Sequence, residues 1–218
     1  MNACARLRAR AFAATYDRLN AAAERTVMGQ RRAELLTAAH SVVVEIGTGT
    51  GANLPHYDAA QVQHLLLTEP DPYMRQRLER KIGDAVPRLR EAAEVVDGSA
   101  EHIDLPDASA DVVVSTLVLC SVGDAAVSAA EAVRVLKPGG QLLVLEHVGS
   151  ESASVRRWQD RLTPIQRRVA GGCHLNRDTV MELRRAGLET GGVKRWELGG
   201  AFGRLMPIVE GAVRKPAV

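Results

Sequence analysis

The run Val42-Val-Val-Glu-Ile-Gly-Thr-Gly-Thr-Gly51 constrains this chain more than any comparable stretch. Apolar, β-branched residues lead to an acid, and the run then breaks into glycines at alternate positions. Such a pattern predicts a buried strand feeding a tight turn. Glycine there permits positive φ and lets a ligand approach bare backbone. In an open α/β sheet, ligands bind at the carboxyl ends of the strands. The segment therefore predicts a nucleotide-like ligand lying over a glycine floor.

The spacing narrows the ligand. Dinucleotide folds use G-x-G-x-x-G, whose last glycine packs a helix start facing a pyrophosphate. Here the order is Glu-x-Gly-x-Gly-x-Gly, with Glu45 just before the turn. A carboxylate in that place repels a pyrophosphate and attracts an ammonium group. A P-loop is excluded, because no Gly-Lys-Ser/Thr follows. Glu69 lies 18 positions past Gly51, at the end of a second apolar run. An acid at about that distance accepts hydrogen bonds from ribose hydroxyls. The plain alternative for Glu69 is a solvent-facing helix cap ahead of Pro70 and Asp71.

Composition bounds the rest. A chain of 218 residues, 46% hydrophobic and 25% charged, suits one substantial soluble core with a small cap. A net charge of +2 and 3% aromatic residues argue against a nucleic-acid partner. Cys4, Cys120 and Cys173 are scattered, with no C-x-x-C, which suits a reducing cytoplasm and offers no zinc cluster. No metal is expected. No apolar stretch approaches the ~18 residues of a membrane span. Met1 to Arg10 is basic and alanine-rich with no apolar signal core, which leaves peripheral contact with a membrane surface open.

Residues 5 to 39 read as helical, with Gly29 separating two helices, so residues 1–40 form a candidate helical cap and 41–218 the main domain. From Ser41 strands and helices alternate. Val42 to Ile46, His64 to Thr68, Ala93 to Val96, Asp111 to Leu117 and Gln141 to Glu146 read as strands. Helices are expected from Pro72 to Lys81 and from Asp124 to Leu136, with a turn over Lys137 to Gly140. This alternation indicates a parallel, doubly wound α/β sheet. Residues 150–176 read as helical or irregular, followed by a helix from Arg177 to Ala186. Val193 to Leu198 and Ile208 to Val213 are β-like.

The glycine pattern resembles the first motif of the class I methyltransferases, which use S-adenosylmethionine. Asp97-Gly-Ser-Ala-Glu101 is similar to their adenine-binding segment, with Ser99 in place of the usual Asp. Four further runs resemble one subgroup, which includes the animal thiol S-methyltransferases and their bacterial relatives. They are Asp111-Val-Val-Val-Ser-Thr-Leu-Val-Leu-Cys-Ser-Val122, Val135-Leu-Lys-Pro-Gly-Gly140, Leu145-Glu-His-Val148 and Gly172-Cys-His-Leu-Asn-Arg177. The likeness covers roughly residues 40 to 195. Those animal proteins carry an N-terminal membrane anchor, a feature not expected here. Ala13-Ala-Thr-Tyr-Asp-Arg-Leu-Asn20 is similar instead to the first helix of quinone-pathway methyltransferases, where a Tyr-Asp pair lies beside the cofactor.

The resemblance implies a Rossmann-like, seven-stranded sheet of order 3-2-1-4-5-7-6, the last strand antiparallel, under an N-terminal helical cap. It implies that Glu45, directly or through water, and the backbone of Gly47, Gly49 and Gly51 hold the methionine moiety. Tyr16, Thr48 and Asn53 belong to the same expected cofactor site, as do Pro70 and Met74 beside the ribose partner Glu69. Ser99, Ala100 and Glu101 are expected near the adenine, and Thr116 and Leu117 beside the sulfonium.

His147 is the best candidate for a base or substrate-orienting group, and His174 is second; a structural histidine is the alternative for each. Cys120 and Cys173 are expected to be packing residues. Trp158 is read equally as part of a lid or as plain packing. Methyl transfer to a thiol is in-line displacement, in which orientation supplies much of the catalysis. A thiol pKa near 8.5 supplies thiolate without a conspicuous base. The expected acceptor is therefore a small thiol, with S-adenosylhomocysteine as co-product. Transfer to O, N or C of a phenol, amine lipid or quinone precursor stays open, as does a non-catalytic cofactor-binding module.

Overall fold

A computed structural model describes residues 3–197 and 203–217. Seven strands form one sheet in the order 3-2-1-4-5-7-6, as the resemblance implies. The chain divides after Ser99 into two compact units.

In the first unit, α1 (Ala3–Ala23) runs through a π-turn (Glu24–Met28) into α2 (Gly29–Leu36). The expected break at Gly29 is thus absent. Instead its N–H bonds back to the Glu24 carbonyl, five residues earlier, and the helix widens rather than ends. Next come β1 (Ser41–Ile46), β2 (Val62–Thr68), α3 (Pro72–Gly83), α4 (Pro87–Ala92) and β3 (Ala93–Val96). The short α4 is an element the sequence pattern does not announce.

β1 pairs in parallel with β2, Val43 opposite Leu65 and Val44 opposite Leu66, and β2 pairs in parallel with β3. Val43, Val44 and Ile46 are fully buried. Neighbouring residues of one strand point to opposite faces, so burial of both Val43 and Val44 marks a sheet covered on two sides. Each such side chain contributes roughly 1.5–3 kcal/mol. α3 begins with Pro72, and the Asp71 carboxylate accepts from the Tyr73 and Met74 amides, fixing the chain just past β2.

The second unit holds β4 (Ala110–Thr116), α5 (Ala125–Val135), β5 (Leu136–His147), α6 (Ala153–Val169), α7 (Thr179–Arg185), β6 (Lys194–Trp196) and β7 (Ile208–Arg214). β4 pairs in parallel with β5, and β7 runs antiparallel to both β5 and β6. Asp124 and Asp178 cap α5 and α7 through their carboxylates. The expected turn over Lys137 to Gly140 lies within β5, where the register against β4 shifts between Ala110 and Val112. That irregularity, with φ of 77° at Gly139, is what the Pro-Gly-Gly signal encodes. β6 is shorter than expected; Leu198, the far end of that reading, lies outside the described residues.

Candidate functional site

The glycine turn after β1 is held by hydrogen bonds from several directions. Gly47, Gly49 and Gly51 all have positive φ, from 56° to 82°. A Cβ on Gly51 would stand 2.8 Å from Leu54 and 2.9 Å from Leu78, so that glycine lets the turn sit down on the core. A Cβ on Gly49 would meet nothing within 4 Å. The backbone there faces open space, as a ligand floor requires. Thr48 is buried; its N–H bonds to the Thr68 carbonyl and its hydroxyl to the Glu45 carbonyl. Thr50 donates to Asp17 of α1 at 2.5 Å, and Lys81 of α3 pairs with the same carboxylate at 3.1 Å. Asp17 therefore reaches the turn, whereas its neighbour Tyr16 is half-buried and stacks edge-on against Phe12.

Glu69 reaches the same turn from the end of β2. One carboxylate oxygen accepts from the Gly49 amide at 2.8 Å, the other from the Asp71 amide at 2.8 Å. Arg75 donates to the Glu69 carbonyl and pairs with Asp97. Burial raises the Glu69 pKa, opposed by those two amide bonds. Met74 is buried behind it, and Pro70 is exposed. The acid expected to meet a ribose thus stands one hydrogen bond from the middle glycine.

Glu45 and Asn53 lie beneath the turn. Glu45 is 2% exposed and accepts from Tyr57 at 2.6 Å and Asn53 at 3.1 Å. Asn53 is fully buried and in turn accepts from Arg32 of α2 at 2.8 Å, while Arg32 pairs with Glu24 at 3.1 Å. Arg32, paired with Glu24, also acts on Glu45 through its charge. Burial pushes the Glu45 carboxyl up to about 7, against the hydrogen bonds from Tyr57 and Asn53. Sequence reasoning missed Arg32 and Tyr57, because nothing local marks either as a partner of β1.

Ser99 closes the first unit, half-buried; Ala100 opens the second, buried. Glu101 accepts from the Gly123 amide at 2.9 Å, just before α5. Its carboxylate is therefore engaged at a loop.

In the second unit the chain leaves β4 through Leu117, whose φ is 61°. For a branched, bulky residue this is a strained left-handed conformation. Glu146 of β5, fully buried, organises the turn that Leu117 opens. It accepts from the amides of Val118 (2.9 Å), Leu119 (3.0 Å) and Cys120 (3.1 Å), and from the Ser115 hydroxyl (2.7 Å). Glu146 appears in the Glu-His-Val run, but its role depends on contacts about thirty residues away that no local pattern reveals. Thr116 lies opposite Leu145 in the β4–β5 register and is nearly buried.

The two candidate histidines come close to the same turn. His174 donates its backbone N–H to the Cys120 carbonyl at 2.8 Å, with its ring Nδ1 3.3 Å from that oxygen. Burial and the nearby Arg177 and Arg167 lower its pKa, which keeps the ring neutral at pH 7. His147 Nδ1 lies 3.6 Å from Cys173 Sγ, and Cys173 Sγ lies 3.8 Å from Cys120 Sγ. The cysteines that look scattered in the sequence are thus neighbours. Cys120 is held well above the ordinary thiol range by its bond with Cys173 and by burial, so it is no nucleophile. Trp158 is 56% exposed on α6, with Arg161 over its ring.

Residues 44–144 match the family model described as a methyltransferase domain. The thiol S-methyltransferase TMT1B of Rattus norvegicus is 34% identical over 151 residues, 69% of this chain and 61% of that protein. The chain thus matches about three fifths of this relative's length. An S-adenosylmethionine-dependent methyltransferase from Thermotoga maritima superposes with a TM-score of 0.65 at 24% identity, over 94% of this chain and 96% of that one. The cyclase SpnF has the same fold at a TM-score of 0.67 and 18% identity, covering 88% and 81%. Among the described residues no helix is long and apolar enough to cross a membrane. Strand order, glycine turn and these similarities agree: the chain belongs to the class I S-adenosylmethionine-dependent methyltransferases.

Proposed function

We propose that this protein transfers the methyl group of S-adenosylmethionine to a small thiol, giving a thioether and S-adenosylhomocysteine. The likeness to a thiol S-methyltransferase at 34% identity carries the choice of acceptor. The residues present fit the cofactor: an open glycine floor at Gly49, and a carboxylate at Glu69 on its rim. When bound, S-adenosylmethionine supplies an electrophilic methyl on a sulfonium.

In the first unit, the backbone of Gly47, Gly49 and Gly51 orients the methionine moiety and Glu69 accepts from the ribose, with Thr48, Pro70 and Met74 shaping the walls. Glu45 and Asn53 act from below, through the charge of the carboxylate and the rigidity of their network. Tyr16 and Asp17, on residues 1–40 as a helical cap, cover this turn. Ser99, Ala100 and Glu101 contribute backbone at the adenine. In the second unit, Thr116 and Leu117 line the reacting side. With the cofactor bound, these residues would hold an acceptor thiolate in line behind the methyl carbon, opposite the sulfonium bond that would break, and would keep water away.

His174, kept neutral by burial, and His147, turned toward Cys173, orient the acceptor and do not form a strong acid/base pair. That arrangement favours a nucleophile that ionises near neutrality over a phenol or alcohol. We place the protein in the cytoplasm, without nucleic-acid partners. Purified protein with S-adenosylmethionine and matched panels of thiols, phenols and amines tests the reading. Methylated thiols by mass spectrometry are expected; turnover of phenols or amines with no thiol product would overturn it.

A further inference from the structure

We propose that Cys120 Sγ, Cys173 Sγ and His147 Nδ1 form a three-ligand site for a thiophilic divalent metal such as zinc, with a fourth position open to a small thiolate. These ligand atoms all lie within 4.8 Å of one another. Tetrahedral zinc with Zn–S near 2.3 Å and Zn–N near 2.0 Å spaces two sulfurs about 3.8 Å apart, and a sulfur and a nitrogen about 3.5 Å apart. The structure has 3.8 Å between the two sulfurs and 3.6 Å from Cys173 Sγ to His147 Nδ1. Two of three edges already have metal-site lengths, and the third is no longer than 4.8 Å.

The scaffold is rigid where a metal site needs it. Cys120 is fixed by its amide to Glu146 and by its carbonyl, which accepts the His174 amide. Cys173 is delivered by a turn in which Gly172, at φ 93°, passes so close to the Ser121 carbonyl that a Cβ would sit 2.8 Å from it. His147 ends β5, paired with Ile208 of β7. The surroundings supply an outer shell: Ser121 Oγ lies 3.5 Å from Cys120 Sγ, and Arg177 binds the Leu119 and Val122 carbonyls. Such partners hold ligands in place and tune them. Metal binding would send both thiol protons to solvent, leaving a neutral site with the two thiolates opposing the dication. Three protein ligands leave one tetrahedral position, as in zinc sites that bind substrate.

The open position rests on the thiol reading above; the metal site does not. The test uses full-length protein carrying Cys4→Ser in a phosphine reductant, titrated with cobalt(II). One cobalt per chain is expected, with a sulfur-to-cobalt charge-transfer band, and that band should vanish in Cys120→Ser, Cys173→Ser and His147→Gln. Far-ultraviolet dichroism reports whether each variant folds. X-ray absorption of the zinc-loaded parent supplies a second reading, with two sulfurs at about 2.3 Å expected. No charge-transfer band in the parent, or a zinc shell of oxygen and nitrogen alone, would overturn the site. So would loss of two hydrogens in mass with no metal taken up, since the pair would then be a disulfide. Adding benzyl thiol should perturb the cobalt spectrum; an unchanged spectrum would overturn the open position alone. Absence of any thiol methylation would sink the functional reading and leave the cobalt result standing.

Discussion

Two buried glutamates lie near the ends of β1 and β5, and they are held in different ways. Glu45 of β1 accepts from two side chains, Tyr57 and Asn53, and burial pushes it up to about 7. Glu146 of β5 accepts from three consecutive backbone amides and one hydroxyl. Side-chain donors can rotate away or find water, but three amides on one turn move only if the turn itself opens. Glu45 is therefore positioned to respond to charge and pH, while Glu146 fixes a shape. What a buried carboxylate does is thus set by its donors and not by its burial alone.

The sharpest way to break this contrast is Glu146→Ala. It leaves the Val118, Leu119 and Cys120 amides buried without their acceptor, each unmade bond costing about 1–3 kcal/mol, so a loss of roughly 3–5 kcal/mol is expected. Urea unfolding gives the number, read as a shift in midpoint at unchanged slope. A loss below about 1 kcal/mol would mean that the turn after β4 keeps its shape without the carboxylate, and the proposed distinction would collapse.

Gly51→Ala acts on the other region and is expected to cost somewhat less, about 2–4 kcal/mol. Its φ of 82° penalises any Cβ by roughly 1–2 kcal/mol, and the contacts at 2.8 and 2.9 Å with Leu54 and Leu78 add overpacking. S-Adenosylmethionine affinity should fall as well, by isothermal titration, because the floor tilts. An unaltered affinity in a folded variant would remove Gly51 from the cofactor site.

The same contrast governs how much of each region is legible in the sequence. β1, its glycines and Glu69 lie in two short local patterns, so strand, turn and acid can be read from residue types and spacing. Sheet order comes from the family resemblance, and the structure agrees. Arg32, Tyr57 and Glu146 cannot be read, because their partners lie 12 to 31 positions away and carry no periodic mark. Asn53 reads as part of the cofactor site, and it stands under the floor holding Glu45. Cys120 and Cys173 look scattered for the same reason: 53 positions separate two sulfurs that the fold brings into contact.

Glu45→Gln sharpens the electrostatic half of the comparison. The folded carboxyl titrates near 7 and its ordinary value is 4.5, so between those values the folded state binds more protons than the unfolded one. Stability contributed by the protonated form is complete below about pH 4.5, falls as pH rises toward 7, and is flat above. The parent should lose up to about 3 kcal/mol relative to the variant across that window. Denaturant unfolding at a series of pH values checks it; parallel curves for the two proteins would show that Glu45 titrates normally. The ionised form also attracts the ammonium of the cofactor, so affinity in the parent should rise through pH 7 and that rise should be absent in Glu45→Gln.

The smallest stability effect is expected where the strain is most visible. Among the described residues, Leu117 is the bulkiest of three non-glycine residues at positive φ, the others being Ser41 and Ala108. Leu117→Gly relieves a left-handed penalty of about 1–2 kcal/mol, yet loses a similar amount from half-buried apolar surface and from greater freedom in the unfolded chain. Unfolding should therefore shift by less than about 1 kcal/mol in either direction. A position where glycine costs nothing, but leucine is present, needs a reason outside stability. If Leu117 lines the reacting side, the variant should keep its affinity for S-adenosylmethionine and lose methyl-transfer rate, because water and misaligned acceptor enter the space it vacates. A variant equal to the parent in both rate and stability would leave the strain at Leu117 without a function and would move the reacting side away from the end of β4.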